Sequence, residues 1–419
     1  VRKRVKWTAP KGTRDILPPE SELWREIITR AEELFCRYGY EEIILPVMES
    51  TELFVKGIGA GSDIVQKEMF TFQDKGGRSL TLRPEGTAGV ARAFIEHNLA
   101  EKGLPLKLYY KGPMFRHERP QAGRYRQFHQ LGVELIGSPH PLADAEVILL
   151  CARFFQMLGL SDIELVINSV GDERCRPRFV EVLMAFLGER RERLCVDCQR
   201  RLQTNPLRVF DCKVTECKKI LAGAPRILDH LCGPCRDHLR KLEGYLTEVK
   251  VPYRLDPSMV RGLDYYTRTV FEFQQEEGGS QNALAAGGRY DHLIETYGGK
   301  PTPSTGFSIG VERVASHLSR DSSSQSRVMV YLVAVGEAPR RHAFVLMEEM
   351  RSRGVGADMD FMERSMKAQM KMADRAGSRK ALIIGEEELQ KGYYTLRDME
   401  KSTQLRVDKS ELWKYLEMG

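Results

Sequence analysis

The stretch from Phe115 to Gln130 constrains this chain more than any other. Four arginines (Arg116, Arg119, Arg124 and Arg126) crowd a loop containing Pro120 and Gly123, and β-rich runs flank it at 107–115 and 128–136. Two such runs around turn residues predict paired antiparallel strands. A surface hairpin has no need of four guanidiniums, although a solvated hairpin is the plainer alternative. Forked guanidiniums bind phosphate oxygens bidentately, and Phe128 offers a flat face to an adenine ring. Gln130 and Glu134 lie four apart on the second strand, so the two-residue period puts both on one face.

Neighbouring segments extend the pair into a sheet. Leu23, Ile27, Ile28, Ala31 and Leu34 recur at helical spacing and predict a helix over 21–38, ended by Gly39. A strand over 42–47 follows; Pro46 has no N–H, which places that strand at an edge or an interface. Further strands are expected at 69–72 and 79–83, and helices at 86–98 and 143–158. From 171 to 249 arginine-rich helical stretches replace strand signals, and strands resume at 269–274 and 305–309 before a helix at 310–318. The stretch 319–326, with Ser322, Ser323 and Ser324, has the composition of a linker. Beyond it, strands at 328–335, 355–361 and 380–385 alternate with helices at 338–353 and 364–376, which implies a parallel core. Edge strands at 393–399 and 404–407 complete the reading.

The expected fold class is therefore mixed α/β. An α+β core with an antiparallel sheet occupies 1–170 and 251–320, interrupted by a helical insertion at 171–250, and an α/β domain spans 327–419. A length of 419 residues is consistent with several cores. The most apolar run, 147–160, is broken by Arg153 and Gln156 and falls short of the ~20 residues a membrane span requires. The first fifteen residues are basic without the apolar stretch of a signal peptide, so a cytoplasmic location is expected. The net charge of +6 permits a polyanionic partner without requiring one.

Three further constellations could carry chemistry. Glu85 and Thr87, around Gly86, stand at a strand-to-helix junction where they could grip an ammonium group or serve the first helical turn. Arg261, Tyr265 and Tyr266 could line a pocket for a planar polar ring; alternatively one tyrosine is core and the other surface. Glycines in Ala285-Ala286-Gly287-Gly288-Arg289-Tyr290-Asp291 and in Gly306-Phe307-Ser308-Ile309-Gly310-Val311-Glu312-Arg313 allow close backbone approach to a ligand. A turn and a solvated helix start are the alternatives there.

Together these segments resemble the class II aminoacyl-tRNA synthetases. Phe115-Arg116-His117-Glu118 is similar to their motif two, the run from Gly306 to Arg313 to motif three, and Glu41 through Glu49 to motif one, the dimer-interface strand. Arg261-Gly262-Leu263-Asp264-Tyr265-Tyr266 resembles the signature of the histidyl enzymes. Lys11 through Asp15, Leu82 through Thr87, Ser365 through Gln369 and Ile383 through Leu389 fit the same family, so the likeness covers nearly the whole chain. It implies ATP-dependent ligation of histidine to its tRNA through a histidyl-adenylate, with Mg²⁺, in a homodimer. By resemblance, Arg116 and Arg261 hold the α-phosphate and the substrate carboxylate as the catalytic cations, and Arg313 holds the γ-phosphate. Arg124 assists at the outer phosphates, Phe128 stacks adenine against Arg313, and Glu118 reads the adenine amino group. Glu85, Gly86, Thr87 and Gln130 surround the histidine amino group. Glu134 and Tyr266 bond the imidazole nitrogens, and Tyr265 walls the pocket. The C-terminal domain would read the anticodon. Nine basic against five acidic residues over 189–219 suit either an acceptor stem or plain solvation. A catalytically inactive synthetase-like histidine sensor is the rival reading, and a threonyl- or prolyl-type ligase is a second.

Nine cysteines in such a chain argue against a disulfide framework. Cys195-x-x-Cys198 and Cys232-x-x-Cys235 form two knuckles that could complete one tetrahedral zinc site. Their spacer exceeds the usual ~15–20 residues, Cys212 and Cys217 could replace one pair, and four reduced, partly buried thiols are the alternative.

Overall fold

A computed structural model describes residues 7–119, 124–275, 283–318 and 328–416, arranged in two compact units, Val1–Ser319 and Arg320–Gly419. The expected linker over 319–326 and the Pro120–Gly123 tip of the arginine loop lie outside the described residues.

Eleven strands of the first unit are β1 (Glu41–Glu42), β2 (Met48–Ser50), β3 (Phe70–Gln73), β4 (Ser79–Leu82), β5 (Leu106–Phe115) and β6 (Gln127–Ile136), followed by β7 (Ile163–Ser169), β8 (Arg254–Leu255), β9 (Thr267–Gln275), β10 (Ala283–Arg289) and β11 (Ser304–Gly310). Eight of them form one sheet in the order β1-β5-β6-β11-β10-β9-β7-β8, antiparallel except for the terminal pairs β1/β5 and β7/β8. β2, β4 and β3 form a small separate sheet.

The hydrophobic pattern of β6 shows why the sheet has two different faces. Leu131, Val133 and Leu135 point into the main core with Trp24, Ile27 and Phe35 of the helix Glu20–Arg37 and with Val147, Ile148 and Phe154 of the helix Pro141–Met157. Gln130, Gly132 and Glu134 alternate onto the other face, as a period of two requires. The first helix stops because Gly39 takes φ +79°, a left-handed conformation that glycine adopts at little cost. Pro141 opens the second helix, and its first turn is capped by His140 Nδ1, which accepts from Leu142 N at 3.1 Å.

Two expectations need correction. The strand expected over 42–47 shrinks to Glu41–Glu42, paired in parallel with Leu108 and Tyr109; Ile44 is 87% exposed, and around Pro46 no ladder forms. Gly287 and Gly288, which suggested a turn, lie inside β10 between β9 and β11. Glycine is needed there because a Cβ on Gly287 would collide with the Gly306 carbonyl.

The segment from the end of β7 to β8 is helical, as expected, with helices Arg176–Gly188, Val196–Thr204, Thr215–Ala222 and Gly233–Glu248. Leu183, Leu187, Leu242 and Leu246 pack in the same cluster as Phe271 and Phe273 of the sheet.

In the second unit, β12 (Val330–Ala334) pairs in parallel with both β13 (Ala357–Met359) and β14 (Lys380–Ile384). β15 (Tyr393–Asp398) and β16 (Gln404–Asp408) add antiparallel strands at the other edge. The helices Glu337–Ser352 and Met366–Arg375 complete the α/β alternation that the sequence predicts.

Candidate active site

The front face of the large sheet carries an open cleft of about 210 Å³. β6 contributes Phe128, Gln130 and Glu134; the loop before it contributes Arg116, Glu118 and Arg124. The helix start after β4 supplies Glu85 and Thr87, the segment before β9 supplies Arg261, Tyr265 and Tyr266, and the helix Val311–His317 supplies Arg313. Gly86 is not among the lining residues. A Cβ there would enter the Tyr110 ring, so this glycine lets the helix start pack on the sheet.

One end of the cleft is cationic. Arg116 donates from Nε to the Pro84 carbonyl at 2.9 Å, and its guanidinium lies 5.3 Å from the centroid of the Phe128 ring. Arg313 donates to the Ala283 carbonyl at 2.6 Å. Among the described residues, neither Arg116 nor Arg313 is ion-paired. Burial lowers both pKa values, and Arg124 and Arg116 add like-charge repulsion at Arg313. Arg261 differs: burial opposes its charge, but the ion pair with Glu272 outweighs this and holds its pKa above the ordinary range. Arg124 pairs with Glu118. Fixed cations held by backbone and packing are placed to receive a polyanion without rearranging.

The other end is a buried polar chamber. Glu134 is 1% exposed and accepts from Thr87 Oγ1 at 2.7 Å and from the Tyr290 hydroxyl. Gly306 faces it across β11, where any Cβ would collide with the carboxylate. Burial pushes the Glu134 carboxyl up to about 8, against the two hydroxyl hydrogen bonds. Burial likewise raises Tyr265 and Tyr290, so both hydroxyls stay neutral and available as donors. The Tyr265 ring packs 4.8 Å from that of Tyr266 and 5.8 Å from that of Tyr290. Among the described residues Gln130 Oε1 is buried with no hydrogen-bond partner, an acceptor free for a ligand.

Glu85 performs the plainer of its two expected roles. Its carboxylate accepts from Thr87 N at 2.7 Å and Ala88 N at 2.9 Å, capping the helix Thr87–Glu96, while still lining the cleft.

Three contributors were not singled out from the sequence. Tyr290 lies in the run 285–291, which the sequence marks for its glycines and not for this hydroxyl. Glu272 is an acid between Phe271 and Phe273 on β9, and an acid inside an apolar strand was its only signal. Glu312 belongs to the run 306–313, for which a solvated helix start was the alternative; it is 7% exposed and accepts from the His129 amide at 2.9 Å, tying the helix Val311–His317 to β6. Behind the cleft, Asp144 and Arg289 are fully buried. Arg289 Nε donates to Asp144 at 3.1 Å, His238 lies 2.5 Å from the same carboxylate, and Thr269 donates to it at 3.0 Å. Burial would raise the Asp144 carboxyl, but Arg289 and His238 bring it down to about 2.

The expected zinc set does not assemble. Cys195 and Cys198 converge with Cys212 and Cys217, and Cys232 and Cys235 converge with Asp172 and Cys175. The two knuckles therefore belong to different clusters: Cys212 and Cys217 take the place of one pair, the alternative the sequence offered, whereas Asp172 and Cys175 carried no sequence signal.

With this geometry in hand, comparison with known proteins is informative. Residues 12–314 match the family described as histidyl-tRNA synthetase, and residues 329–418 match the anticodon binding domain. The chain is 49% identical to the histidine–tRNA ligase of Halothermothrix orenii over 402 residues, covering 95% of this chain and 96% of that one. It is 50% identical to the histidine–tRNA ligase of Trichlorobacter lovleyi over 400 residues, covering 96% and 95% respectively. Among solved structures, apo Staphylococcus aureus histidyl-tRNA synthetase superposes with a TM-score of 0.82 at 37% identity, covering 98% of this chain and 99% of that chain.

Proposed function

Since this chain belongs to the histidyl-tRNA synthetase family, we propose that its front cleft is where histidine and ATP meet. The activity is ATP-dependent ligation of L-histidine to tRNA through a histidyl-adenylate. The observation that carries the site assignment is the division of one cleft into a cationic end and a buried polar chamber.

In this reading the adenosine ring lies against Phe128 with Glu118 at its amino edge, and Arg116, Arg313 and Arg124 hold the phosphates. Arg261 stands where the histidine carboxylate attacks the α-phosphate. In-line displacement spreads charge over the phosphoryl oxygens, and fixed guanidiniums stabilise it without themselves reacting. The imidazole enters the chamber between Glu134 and Tyr266, beside Tyr265. The α-amino group of the histidine substrate donates to Gln130 Oε1, with Thr87 and Glu85 around it. A chamber of buried polar readers rejects analogues lacking their partner atoms by roughly 10⁴–10⁵.

Glu118 and Glu272 are the carboxylates beside the cationic end, and they would hold a divalent cation, Mg²⁺ in this reading, that would neutralise phosphate charge when bound. The positioning is done by the arginines.

By the same reading, residues 1–170 and 251–320 form the catalytic domain, 171–250 an insertion and 327–419 the anticodon-reading domain. Location is cytoplasmic; no described helix is long and apolar enough to cross a membrane. A homodimer is supported by the exposed Ile44, Val47 and Met48 beside the sheet-edge strand β1. ATP–pyrophosphate exchange with each amino acid in turn tests the site. Exchange with histidine alone is expected, and exchange driven by threonine or proline, or none at all, would overturn the reading.

A further inference from the structure

Two four-residue clusters lie outside the cleft, and their geometry repeats. In the first, Cys195 precedes the helix Val196–Thr204 and Cys198 lies in its first turn, while Cys217 lies in the first turn of Thr215–Ala222. Cys212 closes the set, and all four ligand atoms lie within 4.8 Å of one another. In the second, Cys232 precedes the helix Gly233–Glu248 with Cys235 in its first turn, and Asp172 stands three residues before Cys175, which precedes Arg176–Gly188. All seven cysteines are free thiols, and five of them are buried.

The edge lengths are diagnostic. A tetrahedral zinc ion with Zn–S of ~2.3 Å separates its sulfurs by ~3.8 Å, and one carboxylate oxygen at ~2.1 Å lies ~3.6 Å from each sulfur. Cys195 Sγ and Cys212 Sγ are 3.8 Å apart. Asp172 Oδ1 is 3.5 Å from Cys175 Sγ and 3.6 Å from Cys232 Sγ. Backbone amides point at the sulfurs, Cys195 N to Cys217 Sγ at 3.3 Å and Asp172 N to Cys175 Sγ at 3.4 Å, as suits thiolate ligands. Room for the Cys175 sulfur depends on Gly171 at φ +67°, whose Cβ would lie 2.8 Å from it. The other Asp172 oxygen faces Arg268 Nη2 at 3.5 Å, which offsets part of the negative charge that three thiolates would add.

We propose that the helical segment binds two structural zinc ions, one held by Cys195, Cys198, Cys212 and Cys217 and the other by Asp172, Cys175, Cys232 and Cys235. Sulfur-rich tetrahedral sets favour zinc over the hard cations of the nucleotide chemistry. Each thiol gives up its proton to solvent as the ion binds. Both sets are closed, with no open position for substrate, so the ions act on folding and not on the reaction. The first ion joins two short helices. The second ties the segment's entry, just after β7, to its last long helix.

Elemental analysis of the full chain, purified reduced and without chelator, is expected to give two equivalents of zinc. Cys198→Ser and Cys235→Ser should each lose one equivalent and keep the other. The unmodified chain carries the same test should a serine variant fail to fold: titration with a mercurial thiol reagent should release two zinc ions as the seven ligating thiols are modified, after the exposed Cys36. Less than about a tenth of an equivalent, iron in place of zinc, or a single equivalent abolished by either variant would each overturn the two-site assignment.

Discussion

Glu134→Gln should damage histidine recognition and stabilise the unliganded protein at once. The side chain is buried among Thr87, Tyr290 and Gly306, and an amide of equal size fits the same space. What is lost is an acceptor for an imidazole N–H. An amide N–H facing a ring N–H forfeits a charge-assisted hydrogen bond of roughly 1.5–3 kcal/mol, about 10- to 150-fold in the KM for histidine. The KM for ATP, set at the cationic end, should stay within about twofold. Stability runs the other way. A carboxyl raised from 4.5 to about 8 by burial contributes most below pH 4.5, and that contribution is lost as the pH rises through about 8. At full ionisation the cost is at most roughly 5 kcal/mol, and weaker hydrogen bonds from the amide take back part of what the variant gains. A net gain of about 1–3 kcal/mol near pH 8.5, vanishing near pH 4.5, is expected in urea unfolding. Pyrophosphate exchange at varied histidine and ATP supplies the kinetic half. Equal KM increases for both ligands, or a variant less stable than the parent at high pH, would refute the reasoning.

Arg261→Ala removes a fixed cation facing developing charge, so pyrophosphate exchange should fall by roughly 10²–10³ with circular dichroism unchanged; near-normal exchange would remove Arg261 from the site. A chain ending near residue 321 keeps the whole first unit and should still form adenylate while losing tRNA charging, because anticodon contacts supply binding energy spent elsewhere. Full charging by that shortened chain would sink the anticodon assignment. Asp144→Ala leaves the fully buried Arg289 with Asp291 as its remaining carboxylate and should cost up to about 3–5 kcal/mol in chemical unfolding. The depressed carboxyl has a second consequence: its stabilisation, complete above pH 3.8, is lost as the pH falls through about 2, a component of acid unfolding that the alanine variant should lack.

The sequence showed elements whose signal is local. The β-rich run over 128–136 and the four-residue spacing of Gln130 and Glu134 predicted both a strand and the face those two side chains share. The arginines were legible as a group because charge density on a β loop is expensive unless used. Signals set by distant neighbours were not legible. Gly287 and Gly288 look like a turn until β9 and β11 close on both sides, and only then does the absence of a side chain become a packing requirement. Tyr290 reads Glu134 across 156 residues of chain. Spacing also could not tell which cysteine pair joins which, since Asp172 and Cys175 reach Cys232 and Cys235 only after the intervening helices have folded back.

The buried Asp144 group has a consequence for how the first unit comes apart. Asp144 lies on a helix behind the sheet, Thr269 and Arg289 on neighbouring strands, and His238 on the last helix of the 171–250 segment. Withdrawing that last helix from the sheet would leave the buried Asp144 carboxylate short of one partner and would open the core shared by Leu242, Leu246, Phe271 and Phe273. Insertion in the order of the chain is thus not independence in unfolding. Amide protons of Gly233–Glu248 should exchange with the slow class of the sheet, and the segment should melt with it as one cooperative unit.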